Sequence, residues 1–170
     1  MVKVAFVGYM SSGKSHTVKC LSDYFQLPAI DLDTYIEENI IHQSISSYIA
    51  TKGELAFRKA ERHALLELAK DHNLILATGG GTPCYYDNID VLNKHFLTIY
   101  LDVPIKLLAE RLRAEKQNRP LIAHVLDENL EEFIAKHLFD RRPYYSQAKI
   151  TVKHADASIE NIIHLIKSNI

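Results

Sequence analysis

Gly8-Tyr9-Met10-Ser11-Ser12-Gly13-Lys14-Ser15 has the spacing of a phosphate-binding loop. The chemistry sets that spacing. Glycines let the backbone curl so that its N–H groups point at phosphate oxygens, and a helix opening near Ser15 adds its positive end. Lys14 is placed to reach the β- and γ-phosphates of a nucleotide, and the Ser15 hydroxyl to ligate Mg²⁺. This establishes nucleotide binding but not a reaction, so an acceptor site must come from elsewhere in the chain.

Three further groups of residues offer one. Asp31-Leu32-Asp33 places two carboxylates on one side of an extended segment, at the sheet edge where ligands bind in α/β folds; Asp33 is also able to cap a following helix. Arg58 and Glu61 stand three residues apart on a helical pattern and so share a face. Taken alone, they read as an ordinary surface ion pair. Gly79-Gly80-Gly81 follows an apolar run, so its backbone N–H groups are free to approach a ligand closely.

The elements that must position these groups alternate along the chain. Val2–Val7 reads as a buried strand and Ser15–Phe25 as a helix. A short strand covers Ala29–Leu32, and a helix starts near Thr34. Gly53–Lys70 is a strongly amphipathic helix, with Phe57, Ala60, Ala64, Leu65 and Leu68 near the helical period. Strands follow at Leu74–Ala77 and Phe96–Leu101, with Pro104 suited to the first turn of the next helix. A helix from about Glu128 to Arg141 is expected to stop at Pro143. Ile150–Val152 gives a last strand, and Ser158 caps a closing helix striped by Ile159, Ile162, Ile163 and Ile166. Strands interleaved with helices imply α/β architecture: a parallel sheet covered on both faces.

Composition bounds the function. The 170 residues fit one domain, 1–170, long enough to bury roughly 70% of the surface that its unfolded chain exposes. The 20 Lys and Arg nearly balance 21 Asp and Glu, which argues against a nucleic-acid-binding surface. No apolar run is long enough to span a bilayer, and no secretory signal pattern opens the chain. Cys20 and Cys84 suggest reduced core thiols, and the nine histidines form no zinc-like spacing. A cytoplasmic protein is expected.

In order along the chain stand the phosphate loop, Asp31-x-Asp33, Gly53-Glu54-x-x-Phe57-Arg58-x-x-Glu61, and Gly79-Gly80-Gly81. Arg119-Pro120-Leu121 and Arg141-x-Pro143-x-Tyr145 follow. Together they closely resemble the shikimate kinase family, over Val4 to about Val152. The resemblance implies a three-layer P-loop fold of the nucleoside-monophosphate-kinase type, with five parallel strands in the order 2-3-1-4-5 and a mobile lid at about 114–127. It implies ATP-dependent phosphorylation of the 3-hydroxyl of shikimate, with Mg²⁺ and no partner beyond these small molecules. The family is usually monomeric.

By motif match, Lys14, Asp33 and Arg119 are the catalytic residues, with Asp33 the candidate base and Arg119 reaching the transferring phosphoryl group. Gly8, Ser11, Ser12, Gly13, Lys14, Ser15 and His16 would hold ATP, with Arg111 similar to the family's adenine-stacking arginine. Ser15 would bind the metal directly and Asp31 through water. The shikimate-binding region is about 31–61. Asp33, Arg58 and Arg141, with Gly79, Gly80 and Gly81, would hold shikimate, the two arginines on its carboxylate. Family members commonly have Gly where Ser11 stands; if that position needs a positive φ, Ser costs about 1 kcal/mol there. Tyr85 and Tyr86 read as packing groups. The phosphate loop alone also fits a kinase for another polyol acid such as gluconate, or an inactive nucleotide-binding module. Asp33, Arg58 and Arg141 together favour shikimate.

Overall fold

Alternate residues of the first strand face opposite layers, and that alternation organises the molecule. The structure is a computed structural model describing residues 1–119 and 121–170. Pro120, the middle residue of the Arg-Pro-Leu motif, lies outside the described residues. Strand β1 (Lys3–Val7) is buried along its whole length. Ala5 and Val7 point into one apolar layer, while Val4 and Phe6 point into the other. Strands buried on both faces are near-continuous in apolar residues, which explains Val4-Ala5-Phe6-Val7 and Leu74-Ile75-Leu76-Ala77.

The other strands are β2 (Ala29–Asp31), β3 (Leu74–Ala77), β4 (Leu97–Asp102) and β5 (Ile150–Lys153). They form one parallel sheet in the order β2-β3-β1-β4-β5, as the resemblance implied. In register, Val4 lies between Ile75 and Leu97. Helices α1 (Lys14–Phe25) and α8 (Ile159–Lys167) cover one face through Val18, Leu21, Ile162 and Ile166. The opposite face is covered by α2 (Leu32–Ile36), α4 (Glu54–Leu68), α5 (Asn88–His95), α6 (Ile105–Glu115) and α7 (Leu130–Tyr145). Helix α3 (Ile45–Lys52) packs on that same layer without a buried residue of its own. Each fully buried Leu, Ile or Phe contributes about 1.5–3 kcal/mol, so the two layers supply most of the stabilisation.

Several local expectations change. Asp31, not Asp33, caps α2, accepting from the backbone N–H groups of Asp33 at 3.1 Å and Thr34 at 3.3 Å. The carboxylates therefore share a side because the chain turns into a helix there, not because a strand continues. The π-helical turn Glu37–Ile41, with α3 and α5, adds to the elements expected from the sequence. Ser158 caps α8 as expected, accepting from Asn161 N–H at 3.2 Å.

Helix α7 does not stop at Arg141 but runs through Pro143 to Tyr145. Its last turn is held from outside the helix. The Tyr145 side chain is fully buried, its ring 5.2 Å from that of Tyr100, and its hydroxyl donates to Gly80 O at 2.6 Å. That tertiary anchor outweighs the ladder bond that proline removes. Tyr145→Phe should lower unfolding stability by about 1–2 kcal/mol, measured by urea denaturation, because a buried carbonyl loses its donor.

Candidate functional site

The phosphate loop, the Asp31-x-Asp33 pair and the glycine turn stand at the C-terminal ends of β1, β2 and β3, so they open on one edge of the sheet. Helices α4, α6 and α7 add Arg58, Arg111 and Arg141 there. After β1, the phosphate loop turns into α1 with Ser11 at φ 60. A left-handed serine is strained, so the cost anticipated from its sequence position applies. Lys14 is buried, and its ammonium donates to Gly8 O and Tyr9 O at 2.8 Å each. Burial pushes its pKa down to about 8, against the pull of Asp33 and Asp31. Ser15 Oγ donates to Asp31 Oδ2 at 2.8 Å, while Oδ1 of the same carboxylate caps α2. Two oxygens are thus fixed side by side.

These residues line a cavity of about 560 Å³ together with His16, Asp33, Arg111 and Arg119. Burial, then the neighbouring charges of Asp31 and Glu61, pushes the Asp33 pKa up to about 6. Arg111 reaches back to the loop and donates to Ser11 O at 3.0 Å. Arg119 is held by Glu115, which accepts from its Nη2 at 2.9 Å and its Nε at 3.2 Å. Gly8 and Ser12 shape the loop from within, with Ser12 Oγ 3.4 Å from the Lys14 ammonium.

A second recess of about 190 Å³ adjoins the first and is lined by Phe57, Arg58, Glu61, Gly81, Arg141 and others. Arg58 is no surface residue here. Its Nη1 donates to Glu61 at 3.0 Å and its Nη2 to Glu54 at 3.3 Å. Glu61 is fully buried and also accepts from Thr82 Oγ1 at 2.6 Å. The Tyr85 ring lies 4.0 Å from the guanidinium carbon, and its hydroxyl donates to Glu54 at 2.9 Å. That bond, with help from Arg58, holds the Glu54 carboxyl below its ordinary pKa. Tyr85 is therefore more than the packing group expected from sequence: it stacks on Arg58 and orients its partner. Among the described residues, Arg58 Nε is the buried side-chain nitrogen left without a hydrogen-bond partner.

The glycine turn makes room for these cations. A Cβ on Gly81 would meet Arg58 Nη2 at 2.6 Å, and one on Gly80 would meet Arg141 Nη1 at 3.0 Å. Close approach of the protein's own side chains is thus what demands glycine here. Among the residues named from the sequence, the cavities bring together Lys14, Ser15, Asp31, Asp33, Arg58, Arg119, Arg141 and the glycine turn. Sequence reasoning missed Glu115, Thr82 and the roles of Glu54 and Tyr85. Glu61 was visible only as a helical neighbour of Arg58, and its burial had no sequence signal of its own.

The family model for shikimate kinase matches residues 10–170. A shikimate kinase of Parabacteroides distasonis is 39% identical over 168 residues, covering 99% of this chain and 96% of that protein. One of Phocaeicola vulgatus is 41% identical over 88% of this chain and 85% of its own length. Among solved structures, shikimate kinase of Bacteroides thetaiotaomicron aligns with a TM-score of 0.90 at 35% identity, covering 98% of this chain and 97% of that one. Shikimate kinase of Acinetobacter baumannii in complex with shikimate aligns at 0.88 and 30%, covering 99% and 95%.

Glu61→Ala should destabilise the fold by about 3 kcal/mol or more, because it strands a buried guanidinium. Glu54→Ala, at a side chain 56% exposed, should cost under about 1 kcal/mol. Thermal unfolding of the two variants side by side checks the contrast.

Proposed function

The chain belongs to the shikimate kinase family, and we propose from its site that it transfers the γ-phosphoryl group of ATP to the 3-hydroxyl of shikimate, releasing ADP and shikimate 3-phosphate for chorismate and aromatic amino acid synthesis. The observation that carries this reading is the junction of the two recesses. The phosphate cavity and the arginine-lined recess share Met10, Asp33, Gly79, Gly80 and Arg119. A phosphoryl group in one and a hydroxyl in the other therefore meet beside Asp33 and Arg119.

Each residue then has a role that its surroundings support. Arg58, with its free Nε, and Arg141 take the substrate carboxylate, which suits the planar fork of arginine better than lysine. Asp33 accepts the proton of the attacking hydroxyl; with a pKa near 6 it is mostly ionised at pH 7 and yet a better base than an ordinary aspartate. Lys14 and Arg119 neutralise charge on the transferring group, the larger demand in phosphoryl transfer. Gly8, Ser11, Ser12, Gly13 and His16 surround the nucleotide, and Arg111 borders its base. Segment 114–127 is the lid that excludes water.

Mg²⁺ is the metal this reading requires; Ser15 Oγ would hold it directly and Asp31 through water. The fixed pair of hard oxygens, 2.8 Å apart, fits an ion that keeps most of its ligands as phosphate and water. When bound, it neutralises phosphate charge. The reading also takes the enzyme as a cytoplasmic monomer of one domain, a compartment in which the free thiols Cys20 and Cys84 stay reduced. A gluconate-type kinase or an inactive module is not favoured, since Asp33, Arg58 and Arg141 line one recess.

Coupled measurement of ADP release with ATP and Mg²⁺ should show turnover with shikimate and none above background with gluconate. Absence of shikimate-dependent ADP would overturn the reading. Arg58→Ala should raise the KM for shikimate by about 10- to 100-fold, the worth of charged hydrogen bonds, while the KM for ATP stays put. Because the Asp33 pKa is raised, kcat/KM for shikimate should fall as pH drops through about 6. In Asp33→Asn the residual rate should lose that acid limb.

A further inference from the structure

We infer that Glu115 is a positioning residue of the phosphoryl-transfer site: it anchors Arg119 to the phosphate loop and yields that arginine to the nucleotide's terminal phosphate. One oxygen carries the whole arrangement. Glu115 Oε2 accepts from Arg119 Nε at 3.2 Å, from Arg119 Nη2 at 2.9 Å and from Ser11 Oγ at 3.0 Å. The lid arginine is thereby tied to the loop that holds phosphates, through a serine hydroxyl that a glycine at position 11 could not supply. Arg111 closes the link from the other side by donating to Ser11 O at 3.0 Å.

Competition follows from the donor geometry. The Nε and Nη2 edge that Glu115 occupies is the same bidentate edge that a phosphate would take. Arg119 and Glu115 both line the phosphate cavity with Lys14 and Ser15, so the guanidinium need move only a short way to exchange one anion for another. The side chains of Arg119 and Glu115 are 41% and 46% exposed, so solvent screens the pair and it breaks readily. A terminal phosphate, with more charge and three oxygens, is the stronger partner. Glu115 thus keeps Arg119 beside the site and releases it to a phosphate at the γ position, which a diphosphate lacks. Ser11 adds to its nucleotide role by orienting Glu115, which accounts for a strained side chain in this loop.

This inference rests on Arg119 meeting the transferring phosphoryl group. Calorimetric titrations with Mg²⁺ and either a non-hydrolysable β,γ-imido ATP analogue or ADP test it, on wild type, Glu115→Gln, Arg119→Ala and the double variant. Glu115→Gln should bind the triphosphate analogue about two- to fivefold more tightly, the range of an exposed ion pair, and ADP unchanged. Unchanged ADP binding also reports that the variant is folded. In the Arg119→Ala background the Glu115→Gln effect should vanish. Equal tightening for both nucleotides would mean that Glu115 acts by its charge alone and would overturn the inference. So would unchanged or weaker binding of the triphosphate, or an effect that survives without Arg119. Wild type that binds neither nucleotide would remove the proposed function as well, whereas wild-type binding with no gain in Glu115→Gln removes this inference only.

Discussion

The buried carboxylate of Glu61 is the interaction on which the acceptor side of the molecule depends. It has no exposure to water, so its charge is tolerable only with donors on both oxygens: Arg58 on one and Thr82 on the other. Those two bonds join the middle of α4 to the turn after β3. They fix the guanidinium in the recess and hold the glycine turn against it. The same charge helps raise Asp33 to about 6, so one group sets both a binding cation and the candidate base. Replacing a buried ion pair by apolar residues often costs little in a generic core; here losing Glu61 would release Arg58 and the turn together.

A second constraint comes from backbone sterics. Gly81 is required because the Arg58 guanidinium lies where a Cβ would stand, not because of its own φ, which is an ordinary −89°. Ser11 presents the opposite case: a side chain is present where φ is 60 and strain is expected. The phosphate loop therefore carries about 1 kcal/mol against folding at that residue, offset in part by the bond from its hydroxyl to Glu115.

The fold was legible where pattern and burial coincide. Continuous apolar runs bounded β1 and β3 to within a residue, and the motif order supplied the strand order through the family resemblance. What was missed lies where tertiary contacts override local signals. Pro143 reads as a helix stop, yet the buried Tyr145 keeps the final turn in place. Helix α3 is only two turns long and its stripe of Ile45, Tyr48 and Ile49 is only partly buried, so its signal was too short to stand out. In the site, residue types that bind anions stood out, while the groups that aim them did not. Glu54, Tyr85, Thr82 and Glu115 are unremarkable in sequence because their roles depend on distances between elements far apart in the chain.

The near-zero net charge conceals how the cations are used. Three of the cations that line the two recesses already face carboxylates: Arg58 faces Glu61 and Glu54, Arg119 faces Glu115, and Lys14 feels Asp33 and Asp31. Built-in anions keep these charges from repelling one another in an empty pocket, and they also make each substrate anion compete for its site. Arg141 differs. Among the described residues no carboxylate lies within ion-pair distance of it, and it sits 5.9 Å from the Tyr9 ring with its guanidinium against Gly80. It lines the same recess as Arg58, whose Nε has no hydrogen-bond partner, so the proposed carboxylate site holds donors without an internal competitor. A balanced sum of charges is therefore what a site for two small anions needs: enough acid to hold the cations in place, and one uncommitted edge where the substrate decides.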